Sequence, residues 1–118
     1  MLFCINALMK ELLRNAEEFL QSGEDNIKKE RFNAAVSDFF KAIVIICDYL
    51  IYNEIKSLPK NHNERFAFLK TYFSEIYEKV SGFFKTYTDS YNLKLNRNDS
   101  EKLKSYAYEL KNFASNKK

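Results

Sequence analysis

Residues 32–51 read FNAAVSDFFKAIVIICDYLI. Apolar side chains recur there every three or four positions, which is the pattern of one face of an α-helix. That face carries Phe32, Val36, Phe39, Phe40, Ile43, Cys47, Leu50 and Ile51. Ile45, Ile46 and Tyr49 extend the apolar surface around much of the circumference. A helix that is apolar on several sides is buried on several sides, so this stretch predicts the central helix of the fold.

Three further segments show the same helical period. Their apolar positions are Leu12, Ala16, Phe19, Leu20, Gly23 and Ile27 in the first, Phe66, Leu69, Phe73, Ile76, Val80 and Phe83 in the third, and Leu103, Tyr106, Ala107, Leu110 and Phe113 in the fourth. Gly23 lies on the first stripe. We expect it inside a continuous helix, where it allows the second helix to approach closely; the alternative is a helix C-cap.

Local signals predict where these helices begin and end. Pro59 prevents the second helix from continuing unbroken. Asn61 and Glu64 have capping-box spacing, so the third helix begins at Asn61 or His62 and continues to Phe83. The fourth helix is expected to open at Asn98, which has Glu101 three residues later. Residues 86–97 between them are expected to form a polar connection.

Composition agrees with an all-helical chain. The 118 residues fit one domain spanning 1–118, and 46% hydrophobic with 30% charged residues argue against both disorder and a membrane protein. Two Gly and one Pro leave little of the turn chemistry that β-proteins need. The sequence predicts an antiparallel up-and-down bundle of four to five helices.

Several classes of site and location are disfavoured. The longest uncharged stretch, residues 1–9, is far shorter than the roughly 20 apolar residues of a membrane span, and it lacks the features of a secretory leader. We expect a cytoplasmic protein without membrane association. Cys4 and Cys47 sit among apolar neighbours and are expected to be buried, reduced thiols. No metal site or cofactor is predicted, because no Cys or His partner lies near either cysteine.

Charge is distributed unevenly along the chain. Residues 79–118 carry nine Lys or Arg and four Asp or Glu, a net charge of +5, whereas residues 1–78 have a net charge of −2. The basic third attracts phosphates in one interpretation and is a solvated face in the other.

The best candidate for chemistry is the single histidine, His62. It follows Pro59 at a predicted helix start and has Lys56, Lys60 and Arg65 nearby. Cations, helix N-terminal amides and a group that titrates near neutral pH suit a phosphate site. A capping or surface histidine is the simpler alternative.

Two tyrosines of the polar connection, Tyr87 and Tyr91, lie beside Lys85 and Lys94. An aromatic ring next to cations can stack on a nucleotide base. Packing of both rings against the end of the bundle is the alternative. The other aromatic residues lie mostly at core spacing.

Beyond these residue patterns, the chain resembles the HEPN (higher eukaryotes and prokaryotes nucleotide-binding) domains. The resemblance covers nearly the whole chain and depends on RFNAAVSDFFKA at 31–42, AEEFL at 16–20, YLI at 49–51 and LPKNHNER at 58–65. It implies a small helical bundle, commonly a homodimer, often encoded beside a minimal nucleotidyltransferase. Some members are metal-independent RNases in which four to six residues separate an Arg from a following His.

The position of that Arg is taken by Lys56 here, six residues before His62, and no His lies within residues 85–91. Lysine keeps the charge but cannot contact a phosphate with two parallel bonds. The preferred prediction is therefore a nucleotide- or RNA-binding and partner-binding module without efficient catalysis. It uses Lys56, Lys60, His62, Arg65, Tyr87 and Tyr91.

Two alternatives stay open. The first is a toxin-like RNase in which His62 takes the proton of a 2′-hydroxyl and Lys56 stabilises the developing charge. The second is an assembly subunit that binds only protein. A homodimer is also expected. Together with the core-facing stripe, Ile45, Ile46 and Tyr49 give the second helix more apolar surface than a single bundle core can bury, so part of that surface is expected to meet a second copy.

Overall fold

The computed structural model describes residues 2–116, with side chains described for 7–116. That part of the chain folds into five α-helices without a strand: α1 (Leu2–Lys28), α2 (Phe32–Ile55), α3 (His62–Tyr72), α4 (Ser74–Asp89) and α5 (Arg97–Ser115). They form a helical bundle measuring 44 × 25 × 22 Å along its principal axes. The prediction of an all-α bundle of four to five helices is confirmed.

Helix α2 lies at the centre, as its apolar circumference predicts. Ten of its side chains are nearly or fully excluded from solvent: Ala35, Val36, Phe39, Phe40, Ala42, Ile43, Ile46, Cys47, Leu50 and Ile51. Cys47 is a free buried thiol whose pKa is raised by burial, which makes it unreactive. The side chain of Cys4 lies outside the described residues.

Gly23 lies inside α1 and faces α2, as predicted. A Cβ atom at this position would stand 2.7 Å from Cε1 and Cζ of the buried Phe39 ring. Helix α1 ends five residues later, at Lys28, and Glu30 just beyond it adopts the left-handed conformation (φ 57°). The amides of Glu30 and Arg31 donate to the carbonyls of Ile27 and Asn26. This Schellman arrangement caps the helix without glycine.

The predicted third helix is wrong in one respect, because it is two helices. It begins at His62, and the Asn61 side chain accepts from the Glu64 amide at 2.8 Å as predicted. It stops at Phe73, whose φ of −141° and ψ of 64° are not helical. The break allows both parts to pack on the core, since Leu69 of α3 and Val80 of α4 are each fully buried.

The boundaries around the last helix also differ from the prediction. Helix α4 continues to Asp89, so the connection is residues 90–96 rather than 86–97. Helix α5 opens from Asn96, two residues before the predicted Asn98. Asn96 and Asp99 form a reciprocal capping box with bonds of 2.9 and 3.0 Å. Asn98 and Glu101 have the same capping-box spacing, but the box that forms is the one made by Asn96 and Asp99, two residues earlier in the chain.

The apolar excess that predicted a homodimer is buried within one protomer. Ile46 is fully buried and Tyr49 is 8% exposed. Ile45 is half-buried and packs against the core. The structure therefore removes this reason for a dimer, which stays a prediction from the family resemblance alone.

Candidate functional site

A groove of about 350 Å³ lies beside His62, and we call it the His62 groove. All of α1, α2, α3 and α4 contribute to its walls. Its lining residues are Phe19, Phe40, Lys41, Val44, Ile45, His62, Arg65 and Tyr87. Three residues that the sequence proposes as a site, namely His62, Arg65 and Tyr87, are thus brought together from two separate helices.

Arg65 connects His62 to a carboxylate of the central helix. Its Nε and Nη2 donate to the two oxygens of Asp48 at 2.6 and 3.0 Å, and its Nη1 lies 2.9 Å from His62 Nδ1. The side chains of Arg65 and Asp48 are only 11% and 15% exposed. Such a two-point contact holds the guanidinium in one orientation.

That orientation determines the hydrogen-bonding state of His62. A guanidinium donates and never accepts, so Nδ1 of His62 is the acceptor in this contact. The neutral imidazole then carries its proton on Nε2. His62 accordingly offers an N–H donor at Nε2, while its basic lone pair is occupied by Arg65.

The pKa values agree with this arrangement. Desolvation, followed by the positive charge of Arg65, lowers the pKa of His62 from its ordinary value, and Asp48 opposes part of the shift. Burial raises the pKa of Asp48, while the contact with Arg65 acts in the opposite direction. With the guanidinium at 2.6 Å, Asp48 is ionised and His62 is neutral at neutral pH.

An aromatic cluster supports this edge of the groove. The His62 ring lies 5.4 Å from the Phe84 ring and 6.1 Å from the Phe66 ring, between centroids. Tyr87 stacks on Phe40 with centroids 4.7 Å apart and an angle of 15° between the planes. One face of Tyr87 is therefore used for packing, which was the alternative interpretation of this residue.

Tyr91, another member of the predicted site, is largely exposed to solvent. Its ring is 75% exposed, and its hydroxyl lies 2.8 Å from the hydroxyl of Tyr87. This hydrogen bond is the main reason that the pKa of Tyr87 is raised. Tyr91 therefore presents an aromatic surface at the groove's α4 side.

Lys56 and Lys60 do not line the groove. Lys56 ends α2 in the left-handed conformation (φ 56°), and its Nζ donates to the Asn53 carbonyl at 2.8 Å. Lys60 is exposed, and its backbone amide donates to Glu64. Of the predicted cations, Arg65 alone is a groove residue.

Two residues of this candidate site are missing from the sequence prediction: Lys41, which lines the groove, and Asp48, which holds Arg65. They lie seven residues apart, two turns of α2, and so face the same side. A lone carboxylate within the apolar run around Cys47 was the available signal for Asp48. The Lys41 ammonium lies 5.6 Å from the centroid of the Phe19 ring, at the mouth of the groove.

Comparison of the chain with protein-family models, curated proteins and solved structures finds no match. The resemblance to HEPN domains therefore stays a prediction from the residues quoted above. Within residues 7–116, no three His, Cys, Asp or Glu side chains cluster as a metal site would require. No helix in the described part of the chain has the length and apolarity to cross a membrane.

Proposed function

We propose that this chain is a non-catalytic nucleotide- or RNA-binding module that receives a phosphate in the His62 groove. The supporting observation is the chain of contacts from Asp48 through Arg65 to His62, which fixes the orientation of two side chains that line the groove. Two N–H groups of Arg65 are left over after its contacts with Asp48 and His62. Together with Nε2–H of His62 and the Lys41 ammonium, they form a set of donors suited to a phosphate.

The groove's charge predicts how strong the binding is. Asp48 cancels the charge of Arg65, and a neutral His62 leaves Lys41 as the uncompensated cation. A site with one uncompensated cation gives weak, salt-sensitive affinity, with a slope of log K against log salt of about −0.7 for single-stranded RNA. The exposed ring of Tyr91 adds stacking without base selectivity.

The RNase alternative has less support in this geometry. A histidine that abstracts a proton needs a free lone pair, and Nδ1 of His62 is engaged by Arg65. Lys56, the residue expected to stabilise the developing charge, lies outside the groove. A homodimer and a nucleotidyltransferase partner belong to the same proposal on the family resemblance alone, and a cytoplasmic location belongs to it on the sequence pattern of residues 1–9.

The test is fluorescence anisotropy with a labelled single-stranded RNA of about twelve nucleotides, over about 50–200 mM salt, in the presence of a chelator. We expect Lys41→Ala to weaken binding about threefold to tenfold and to flatten the salt dependence. Lys10→Ala, an exposed lysine of α1 outside the groove, is the matched control and should change affinity less than about twofold.

Equal effects of the two lysine substitutions would remove the groove as the binding site. Cleavage of the RNA in chelator that His62→Gln abolishes would establish the RNase instead. Absence of RNA binding by the wild-type protein would leave the assembly subunit as the surviving function.

A further inference from the structure

A second groove lies between α4 and α5, and its lining does not include His62. It has a volume of about 740 Å³, about twice that of the His62 groove, and shares no residue with it. Its apolar surface is formed by Phe73, Ile76, Tyr106, Leu110 and Phe113. We call it the α4–α5 groove.

The groove has α4 on one side and α5 on the other. The rings of Phe83 and Tyr106, which lie near the middle of these two helices, meet with centroids 5.3 Å apart. Phe73 stands at the start of α4, where the chain bends. Tyr106 and Leu110 are only 8% and 2% exposed and form the floor of the groove, whereas Phe113 is 41% exposed.

The rim of the groove is acidic. Glu75, Glu78 and Glu109 line it together with a single cation, Lys79. All three glutamates are exposed, and none forms an ion pair among the described side chains. By contrast, Glu17 and Glu24 elsewhere on the surface are paired with lysines of α5. The rim therefore has a local net charge of −2 in a chain whose overall net charge is +3.

We propose that the α4–α5 groove binds an amphipathic helix of a partner protein, with apolar side chains on one face and Lys or Arg on its flanks. A groove between two helices can accommodate a third helix, as in helix-in-groove recognition. The apolar floor contacts the apolar side chains at positions i, i+3, i+4 and i+7 of the partner helix. The unpaired glutamates select basic flanks and reject acidic ones.

The same charges disfavour a second copy of this chain as the occupant. In a two-fold symmetric dimer each groove meets its own equivalent. Glu75, Glu78 and Glu109 of both copies would then face each other, which is repulsive. A basic partner gives the complementary arrangement.

The probe is a labelled synthetic peptide of about eighteen residues, long enough for five helical turns, with Leu on one face and Lys on the flanks. A matched peptide replaces every Lys with Glu. Binding of both to the full chain is measured by fluorescence anisotropy at low and high salt. We expect the basic peptide to bind at least about tenfold more tightly than the acidic one, with a preference that salt weakens.

Charge reversal identifies the surface. The variant Glu75→Lys/Glu78→Lys/Glu109→Lys should bind the basic peptide about tenfold more weakly and should prefer the acidic peptide. The control Glu18→Lys/Asp25→Lys/Glu30→Lys reverses three exposed carboxylates outside the groove and should behave as the wild type. Circular dichroism establishes that both variants keep the helical fold, since all six positions are on the surface.

Three results would overturn the proposal. The first is equal binding of the two peptides by the wild-type chain. The second is equal loss in the groove variant and the control. The third is binding of a small apolar dye to the groove without binding of either peptide, which would assign it to an apolar small molecule. None of these outcomes bears on RNA binding at Lys41, so this proposal and the proposed function fail separately.

Discussion

Gly23 and Gly82 are both helical, and their surroundings are opposite. A Cβ on Gly23 would meet the buried Phe39 ring at 2.7 Å, whereas a Cβ on Gly82 would meet nothing within 4 Å. Neither residue has a positive φ. The two positions therefore separate the effect of helix propensity from the effect of packing.

We predict opposite signs for the same substitution at these positions. Gly82→Ala should raise the free energy of unfolding by about 0.5–1 kcal/mol, because alanine is the better helix former. Gly23→Ala should lower it by about 1–2 kcal/mol, because Phe39 must shift inside a packed core. Urea denaturation followed by circular dichroism measures both. A stabilising Gly23→Ala would contradict the close approach of α1 and α2.

His62 links the candidate site to the stability of the fold. Its pKa is lowered in the folded protein by desolvation and by Arg65, while the unfolded chain titrates near the ordinary value of about 6.5. As the pH falls through about 6.5, the unfolded state binds a proton that the folded state does not, so stability decreases. The loss levels off below the folded pKa.

The prediction is a lower thermal midpoint at pH 5.5 than at pH 7.5 in the wild type, with a smaller pH dependence in His62→Gln. The chain has one histidine, so the difference between the two proteins isolates its titration. The raised pKa of Asp48 acts in the opposite direction at lower pH and is common to both. An identical pH dependence of wild type and variant would show that His62 titrates normally.

At the scale of elements, one side chain holds the connection between α4 and α5. Asn33 of α2 donates through Nδ2 to the carbonyls of Ser90 and Leu93 at 2.8 and 2.7 Å. Its Oδ1 accepts from the Leu95 amide at 2.9 Å. Three hydrogen bonds from a residue about sixty positions away replace the regular structure that residues 90–96 lack.

Removing this side chain should therefore loosen the connection. We expect Asn33→Ala to lower the free energy of unfolding by about 2 kcal/mol, since it leaves two carbonyls and an amide without their partner. Asn112→Ala, at an exposed position of α5, should change it by less than about 0.5 kcal/mol. Hydrogen exchange of the Leu95 amide should accelerate in the first variant alone. An unchanged exchange rate of the Leu95 amide would contradict the role of Asn33 in holding this connection.

Elements with a local signal were predictable, and those determined by packing were not. The stripe of α1, the apolar circumference of α2 and the Asn61 cap are all visible in the sequence. The break at Phe73 has no such signal, because neither Pro nor Gly stands there and no side chain caps the new helix. It follows from the requirement that Leu69 and Val80 both reach the core.

The candidate site divides in the same way. His62 and Arg65 are visible in the sequence because they are neighbours, and a helix places residues three apart on one side. Lys41 and Asp48 belong to a different helix, and their approach to His62 depends on how α2 and α3 pack. Long-range packing of this kind is not encoded in local spacing.

At the scale of the whole molecule, the basic charge of residues 79–118 is partly compensated. Lys104 pairs with Glu24 at 3.0 Å and Lys111 with Glu17 at 2.7 Å, both between α5 and α1. Lys85 pairs with Asp89 within α4. These ion pairs favour a solvated, paired face over a continuous phosphate-binding surface. Lys41, by contrast, forms no ion pair among the described side chains.

The homodimer has a direct test at this scale. Because Ile46 and Tyr49 are buried within one protomer, the apolar surface they supply is not available to a second copy. Sedimentation velocity over a wide concentration range should show a dimer if the family resemblance holds. A monomer at every concentration would remove that prediction and leave both binding proposals intact.

The central claim is that His62 offers Nε2–H to a phosphate while Arg65 occupies Nδ1. The most direct measurement is nitrogen NMR of the imidazole ring, whose signals are unambiguous in a chain with a single histidine. We predict a neutral ring protonated on Nε2 at pH 7, with signals that shift on addition of the single-stranded RNA. A ring protonated on Nδ1, or signals that stay unchanged at saturating RNA, would contradict the account.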